Sequence, residues 1–125
     1  MTKSVLVVED EDSIALALEF LLQREGYELQ RVSSGPEALR QIGESVPDLV
    51  LLDVMLPGCS GYEVCQSIRR DAACGNVKIV MMTAKGREME RRKALALGAD
   101  AFVPKPFSTE ELTGTVNRLL LKGAA

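Results

Sequence analysis

Short apolar runs alternate along the chain with longer segments in which apolar residues recur at helical spacing. Four of these runs are rich in branched side chains and apolar at successive positions, which is typical of strands buried on both faces of a sheet. They cover residues 4–8, 48–52, 77–82 and 101–103. A fifth and weaker run, 28–32, mixes Leu29 and Val32 with polar neighbours, which favours a strand at a sheet edge. The pattern therefore predicts five strands.

The segments after the strands have the period and the end signals of helices. The first predicted helix covers residues 12–25, with Asp12 as candidate N-cap and Gly26 as a C-cap signal. Pro36 opens the second, the third covers 62–70, and the fourth covers about 87–97 and stops at Gly98. A capping box at residues 108–111 begins the fifth. The inner faces are predicted to carry Ile14, Leu18, Leu21 and Leu22, then Leu39 and Ile42, and finally Leu112, Val116 and Leu119.

Strand and helix alternate five times, which predicts a parallel, doubly wound α/β domain with helices on both faces of the sheet. The 125 residues leave room for one domain, and folding a chain of this size buries roughly two-thirds of its surface. Three cysteines without a C-x-x-C pair favour neither a disulfide framework nor a zinc site, and they fit a reducing cytosol. The apolar runs are far shorter than the ~18 residues of a membrane helix.

Composition excludes several kinds of chemistry. Fifteen basic residues against eighteen acidic ones give a net charge of −3, which argues against direct nucleic-acid binding. The chain has no histidine, so triads with an imidazole base and imidazole metal sites are excluded. Any chemistry must depend on carboxylates, hydroxyls and lysine.

Polar side chains stand where the apolar runs end. Ligands of open parallel sheets bind beyond the carboxyl ends of the strands, so these positions are the first candidates for a site. If the strands are parallel and in register, three carboxylates, one hydroxyl and one ammonium converge there. They belong to Glu9, Asp10, Asp53, Thr83 and Lys105.

This set of side chains favours a hard cation and a phosphoryl group. Carboxylates held close together repel one another, and a divalent cation relieves that repulsion. Oxygen ligands that leave room for water and phosphate suit Mg²⁺, for which Mn²⁺ can substitute. Asp53 follows a strand alone and is the candidate nucleophile, whereas Glu9 and Asp10 would hold the metal. The ammonium of Lys105 and the hydroxyl of Thr83 would then contact phosphoryl oxygens.

The chain, from about residue 3 to 121, resembles the receiver domain of bacterial two-component response regulators. Any single motif is weak, but five in order, each at the end of its own strand, make a chance match improbable. The resemblance implies a flavodoxin-like sheet of order 2-1-3-4-5 with five helices, and one receiver domain over residues 1–125. The motifs are Val8-Glu9-Asp10, the strand 48–53, the loop Met55-Leu56-Pro57-Gly58 leading to Ser60-Gly61, Met82-Thr83-Ala84, and Lys105-Pro106-Phe107.

The resemblance also implies a function. Asp53 would accept a phosphoryl group from a phosphohistidine of a sensor histidine kinase or phosphotransfer protein, in a reaction that requires Mg²⁺. The domain would be a cytoplasmic switch that acts on a downstream effector, and it would catalyse only its own phosphorylation and dephosphorylation. It would not enter a membrane. A phosphorylation-dependent dimer is left open, because Arg91, Asp100 and Glu111 are kept whereas Ala101 and Thr115 replace the usual acid and base.

Individual roles follow from the same resemblance. Asp10, Asp53 and the main-chain carbonyl of Met55 would ligate Mg²⁺, and Glu9 would act largely through metal-bound water. Thr83 and Phe102 would form a switch pair: the hydroxyl of Thr83 moves towards the phosphoryl group and the ring of Phe102 turns inward. This movement would repack the fourth helix, fifth strand and fifth helix. The Lys105-Pro106 peptide is expected to be cis, and Met55 and Lys85 would tune the lifetime of the phosphoryl group.

Other interpretations explain less of the pattern. Taken singly, an acidic helix entry, a hydroxyl at a strand end and a surface lysine are ordinary structural features. A phosphatase that forms an aspartyl phosphate needs a second Asp two residues after the first, where this chain has Met55. A nucleotide-binding domain needs a glycine-rich loop after the first strand, where four acidic residues stand. A receiver-like module that signals without phosphorylation is the remaining alternative.

Overall fold

The computed structural model describes residues 2–84 and 87–121. Strands and helices alternate, with one additional short 3-10 turn at Ala72–Cys74. The strands are β1 (Ser4–Val8), β2 (Glu28–Val32), β3 (Leu49–Asp53), β4 (Lys78–Thr83) and β5 (Ala101–Pro104). The helices are α1 (Asp12–Arg24), α2 (Gly35–Glu44), α3 (Gly61–Arg70), α4 (Arg87–Ala96) and α5 (Thr109–Leu121).

The five strands form one parallel sheet in the order β2-β1-β3-β4-β5. This order confirms the expected architecture. The register pairs Val8 with Leu52, Asp53 with Met82, and Thr83 with Pro104. Because all strands run in the same direction, their carboxyl ends meet at a single edge of the sheet.

Helices cover both faces of the sheet, and each face has its own core. One core joins alternate strand residues to α2, α3 and α4, for example through Ile42, Ile68 and Ala94. The other joins the intervening strand residues to α1 and α5, for example through Leu18 and Val116. Side chains of a strand alternate between the two faces, so the continuous apolar runs of β1, β3 and β4 supply both cores.

Several predicted boundaries and faces need correction. Asp12 is not the N-cap of α1: the cap position is Glu11, and the Asp12 carboxylate pairs with Arg31 instead. In α5 the predicted Leu119 packs partly buried against the core, and Leu120, one turn after Val116, is a buried inward position that was not predicted. The segment 101–103 was expected to be buried on both faces, but β5 is an edge strand whose burial alternates.

The predictions for β2 and for the glycines after α1 and α4 are confirmed. β2 is an edge strand, and Gly26 and Gly98 follow α1 and α4 with positive φ angles of 91° and 108°. The Ser108 hydroxyl accepts a hydrogen bond from the Glu111 amide at the start of α5. All three cysteines are free. Among the described residues, no helix is long and apolar enough to cross a membrane.

Candidate functional site

The carboxyl edge of the sheet brings the five predicted side chains into one cleft. β3 and β4 each end one residue later than predicted, so Asp53 and Thr83 are the last residues of these strands. Both residues are buried. Glu9 follows β1 and is fully buried, whereas Asp10 beside it is exposed. Lys105 follows β5 and lines the same cleft as Asp10, Asp53 and Thr83. The structure therefore confirms that these residues lie together.

Lys105 joins the two buried carboxylates. Its Nζ atom donates to Glu9 Oε1 at 2.8 Å and to Asp53 Oδ2 at 2.9 Å. Burial raises the pKa of Glu9 above its usual range, although the hydrogen bond from Lys105 opposes this shift. For Lys105 burial acts to lower the pKa, but the two carboxylates outweigh it and the net shift is upward. The ammonium is therefore charged at neutral pH.

Backbone amides fix the remaining oxygens of the two buried acids. The Met55 amide donates to Asp53 Oδ1 at 3.1 Å, and the Glu11 amide donates to Glu9 Oε2 at 3.1 Å. Each carboxylate thus has one oxygen held by Lys105 and the other held by the backbone two residues further along the chain. This arrangement leaves little rotational freedom to either side chain.

The acidic residues fit a hard divalent cation. Glu9, Asp10 and Asp53 each offer a carboxylate oxygen, and these oxygens lie within 4.8 Å of one another. One ammonium offsets only part of the charge of three carboxylates. Oxygen ligands on a partly open cleft match the preference of Mg²⁺, which keeps several of its waters when it binds to proteins.

The loop from Met55 to Ser60 is held by close backbone packing. The Gly61 amide donates to Val54 O at 2.9 Å, and a Cβ atom at Gly61 would lie 2.3 Å from Asp53 O. Ser60 and Glu63 form a capping box at the start of α3, which the sequence analysis did not identify. In the middle of the loop, the Pro57 carbonyl accepts a hydrogen bond from the Gly35 amide at 3.2 Å. The main chain beside Asp53 is therefore fixed from two helices.

The two expected switch residues share one face of the sheet. Register places Phe102 opposite Met81, and Thr83 lies two positions after Met81 on the same strand. Residues two apart point to the same side of a strand, so Thr83 and Phe102 face the layer that contains α4. The ring of Phe102 is half-buried and packs against the core on that face. Lys85, the second predicted modulator of phosphoryl lifetime, lies outside the described residues.

Two contacts between separate elements were not predicted from the sequence. Arg31 contacts the turn that carries Glu9, from the end of β2. It could have been found, because β2 ends at the same edge as the other strands. Tyr62 of α3 donates its hydroxyl proton to the Glu90 carboxylate of α4, and Lys93 Nζ lies 4.2 Å from the centre of the Tyr62 ring. No sequence pattern pairs residues of two separate helices in this way.

Comparison with known proteins identifies the family of this chain. A family model described as the response regulator receiver domain matches residues 5–117. The sensory transduction protein RegX3 of Mycolicibacterium smegmatis is 46% identical over 121 residues, which cover 97% of this chain and 52% of RegX3. The chain therefore spans about half the length of that relative.

Solved structures give the same result. The chemotaxis response regulator CheY4 of Vibrio cholerae matches with a TM-score of 0.90 at 30% identity, over 96% of this chain and all of CheY4 (100%). The receiver domain of the sensor histidine kinase PA1611 from Pseudomonas aeruginosa matches with a TM-score of 0.86 at 28% identity, over 95% of this chain and 98% of that domain. That structure is described with a magnesium ion coordinated in its active-site cleft.

The fold, the acidic cleft and these matches define a phosphorylation-dependent signalling domain of two-component systems. The chain belongs to the response regulator receiver domain family.

Proposed function

We propose that Asp53 accepts a phosphoryl group from the phosphohistidine of a sensor histidine kinase or of a phosphotransfer protein. The observation that carries this proposal is the position of Asp53: its carboxylate lies at the carboxyl edge of the sheet, held by Lys105 and by the Met55 amide. A carboxylate fixed in this way presents its remaining lone pairs to the cleft, and a fixed nucleophile has little orientational entropy left to lose.

The transfer needs no reactant other than the phosphohistidine, Asp53 and a proton from solvent. An Asp53 oxygen attacks phosphorus and forms the acyl phosphate bond while the P–N bond of the phosphohistidine breaks. The departing imidazole nitrogen keeps the electron pair of that bond and takes up a proton from solvent. Lys105 and the Thr83 hydroxyl line the cleft, and both would contact the oxygens of a phosphoryl group that enters it. Hydrogen bonds to such charged oxygens are stronger than bonds between neutral groups.

The proposed cofactor is Mg²⁺, for which Mn²⁺ can substitute. Asp10, Asp53 and the Met55 main-chain carbonyl would hold the metal, with Glu9 acting through metal-bound water. When bound, the metal supplies positive charge that offsets the charge of the phosphoryl oxygens. The close approach of the three carboxylates and the magnesium ion described for the PA1611 receiver domain support this assignment.

The proposed output is a repacking of α4, β5 and α5. Thr83 would move towards the phosphoryl group, and the half-buried ring of Phe102 would turn into the space it leaves. Both residues lie on the face that α4 covers, so their movement would be transmitted to that helix. A downstream effector protein or domain would recognise the new surface, with a phosphorylation-dependent dimer as a further form of the same response.

The remaining assignments follow from this function. We place one receiver domain at residues 1–125 and regard it as a phosphoacceptor that transforms no external metabolite. A cytoplasmic location fits the three free cysteines, since thiols stay reduced in that compartment.

Intact-protein mass spectrometry after incubation with phosphoramidate tests the proposal. Wild-type protein is expected to gain one phosphoryl mass in the presence of Mg²⁺ and none in its absence. Asp53→Asn should gain none in either condition. Asp71→Asn is the matched control, since Asp71 caps the short turn after α3, away from the cleft, and this variant should be modified as wild type is.

Two results would contradict the proposal, and only the complete absence of an adduct would support the alternative of a receiver-like module that signals without phosphorylation. An adduct that persists in Asp53→Asn would place the acceptor elsewhere. A wild-type protein that neither gains the phosphoryl mass nor binds beryllofluoride at Asp53 would refute the acceptor function.

A further inference from the structure

Arg31, near the end of the edge strand β2, contacts the backbone that carries the acidic residues of the site. Its Nε and Nη2 atoms donate to the main-chain carbonyl of Glu9 at 3.0 and 2.7 Å, and its Nη1 atom donates to Asp12 Oδ1 at 2.9 Å. About three-quarters of the Arg31 side chain is buried, since its relative exposure is 24%. The Asp12 side chain, at 87%, is exposed.

The carbonyl that Arg31 holds belongs to the peptide that joins Glu9 to Asp10. This peptide is planar, so fixing its oxygen fixes the orientation of the whole unit between the two acidic residues. The Glu9 amide on the other side is already fixed, because it donates to Val32 O at 3.1 Å. Arg31 therefore removes the remaining freedom of the turn from which both side chains enter the cleft.

The positive charge of Arg31 and its positioning of the Glu9–Asp10 peptide should affect the affinity for a metal in opposite directions. Residues 9–12 are four consecutive acids, and the positive charge of Arg31 offsets part of their repulsion. The same positive charge also repels a cation bound to Glu9 and Asp10. A purely electrostatic role would thus weaken metal binding, whereas a positioning role would strengthen it. Loss of the Arg31 guanidinium would therefore raise the metal affinity if its role were only electrostatic, and would lower it if its role is positioning.

We propose that Arg31 is a positioning residue for the metal site, and that its planar guanidinium sets the Glu9–Asp10 peptide in the orientation that binds Mg²⁺. This inference rests on the proposed function for its metal. Mutation of a group that orients the ligands of a metal site typically lowers the metal affinity by about 10–100-fold. A lysine cannot reproduce the contact, because a single ammonium lacks the planar array of donors that reaches both the carbonyl and Asp12.

Arg31→Lys tests the proposal because it keeps the charge and removes the planar donor array. Calorimetric titration with Mg²⁺ is expected to show a dissociation constant about tenfold higher for Arg31→Lys than for the wild type. In metal-free protein, hydrogen exchange of the Glu11 amide, which donates to Glu9 Oε2, should become faster than in wild type. This second measurement reports on positioning independently of metal and of phosphorylation.

Arg69→Lys is the matched control. Arg69 also donates to two main-chain carbonyls, those of Gly98 and Val77, and to the carboxylate of Asp100, but at the opposite edge of the sheet. This variant should lose stability in urea unfolding without a change in Mg²⁺ affinity. It separates a general loss of packing from an effect on the site.

The outcomes distinguish this inference from the proposed function. Unchanged or tighter Mg²⁺ binding in Arg31→Lys, or an unchanged exchange rate at Glu11, would overturn the positioning role while leaving the acceptor function intact. Failure of the wild-type protein to bind Mg²⁺ would refute both. Equal weakening by Arg31→Lys and Arg69→Lys would also overturn the proposal, because the effect would then be one of stability.

Discussion

Replacing Lys105 by methionine removes the only ammonium that the described structure places between Glu9 and Asp53. The substitution Lys105→Met keeps a flexible side chain of similar length and deletes the charge. Both carboxylates remain buried, with relative exposures of 0% for Glu9 and 5% for Asp53. The metal-free protein should therefore lose stability, because the two buried carboxylates would keep only their backbone hydrogen bonds and would face each other without a positive charge between them.

The size of the loss follows from the contacts. Lys105 makes two charge-assisted hydrogen bonds, and each bond to a charged group contributes about 1.5–3 kcal/mol, so the upper range is about 3–6 kcal/mol. Two effects make the loss of stability smaller. The variant no longer pays the cost of burying an ammonium, and the exposed Asp10 keeps one side of the cleft in contact with water, which screens the remaining charges. We expect a decrease in the free energy of unfolding of about 3 kcal/mol at about pH 8.

The loss should depend on pH and on Mg²⁺. Burial raises the pKa of Glu9, so the folded protein takes up this proton at a higher pH than the unfolded chain does. Its contribution to stability is therefore present in acid and is lost as the pH rises through the raised pKa. Without Lys105 the Glu9 pKa rises further, so the destabilisation should shrink towards about pH 5. Saturating Mg²⁺ should also reduce it, because the metal binds only the folded cleft and should bind the variant more tightly once the ammonium no longer repels it, so that it stabilises the variant more than the wild type.

Urea unfolding followed by circular dichroism measures the effect, since the chain has no tryptophan to report by fluorescence. The comparison uses a chelator or Mg²⁺ at each pH. Lys78→Met is the control, as Lys78 begins β4 at the opposite edge of the sheet. Equal stability of Lys105→Met and wild type in chelator at the higher pH would refute the reasoning, as would a loss that is independent of pH.

Two further substitutions test the site. Glu9→Gln should weaken Mg²⁺ binding by about tenfold, because it removes the charge of one of the three carboxylates whose oxygens lie within 4.8 Å of one another. Calorimetric titration measures the effect, and unchanged binding would contradict the prediction. Gly61→Ala should lose about 2 kcal/mol of unfolding free energy and slow phosphorylation, because the new Cβ would meet Asp53 O at 2.3 Å and Val54 Cα at 2.9 Å, both of them backbone atoms. Gly43→Ala is its control, because a Cβ added at Gly43 would meet no neighbouring group within 4 Å outside its own helix backbone. This variant should have unchanged or higher stability. Similar losses in both variants would show that the contact at Gly61 is unimportant.

The fold class and the residue types of the site could be inferred from the pattern of the amino-acid sequence. Continuous apolar runs such as that of β3 can be accommodated only where both faces of a strand are covered, so they specify a parallel sheet between helices. Parallel strands in turn bring their carboxyl ends to one edge. For that reason the nearness of Glu9, Asp53 and Lys105 could be inferred although they lie far apart along the chain.

The contacts that hold the side chains at that edge could not be inferred in this way, because they form between separate elements of the folded chain. The bonds of Lys105 to two carboxylates, the contact of Arg31 with the Glu9 carbonyl and the bond from Tyr62 to Glu90 each join separate elements. Periodicity and capping signals describe positions within one element and carry no information about such pairs. The same limit explains Asp12, whose sequence context suited an N-cap but whose carboxylate pairs with Arg31 of a neighbouring strand.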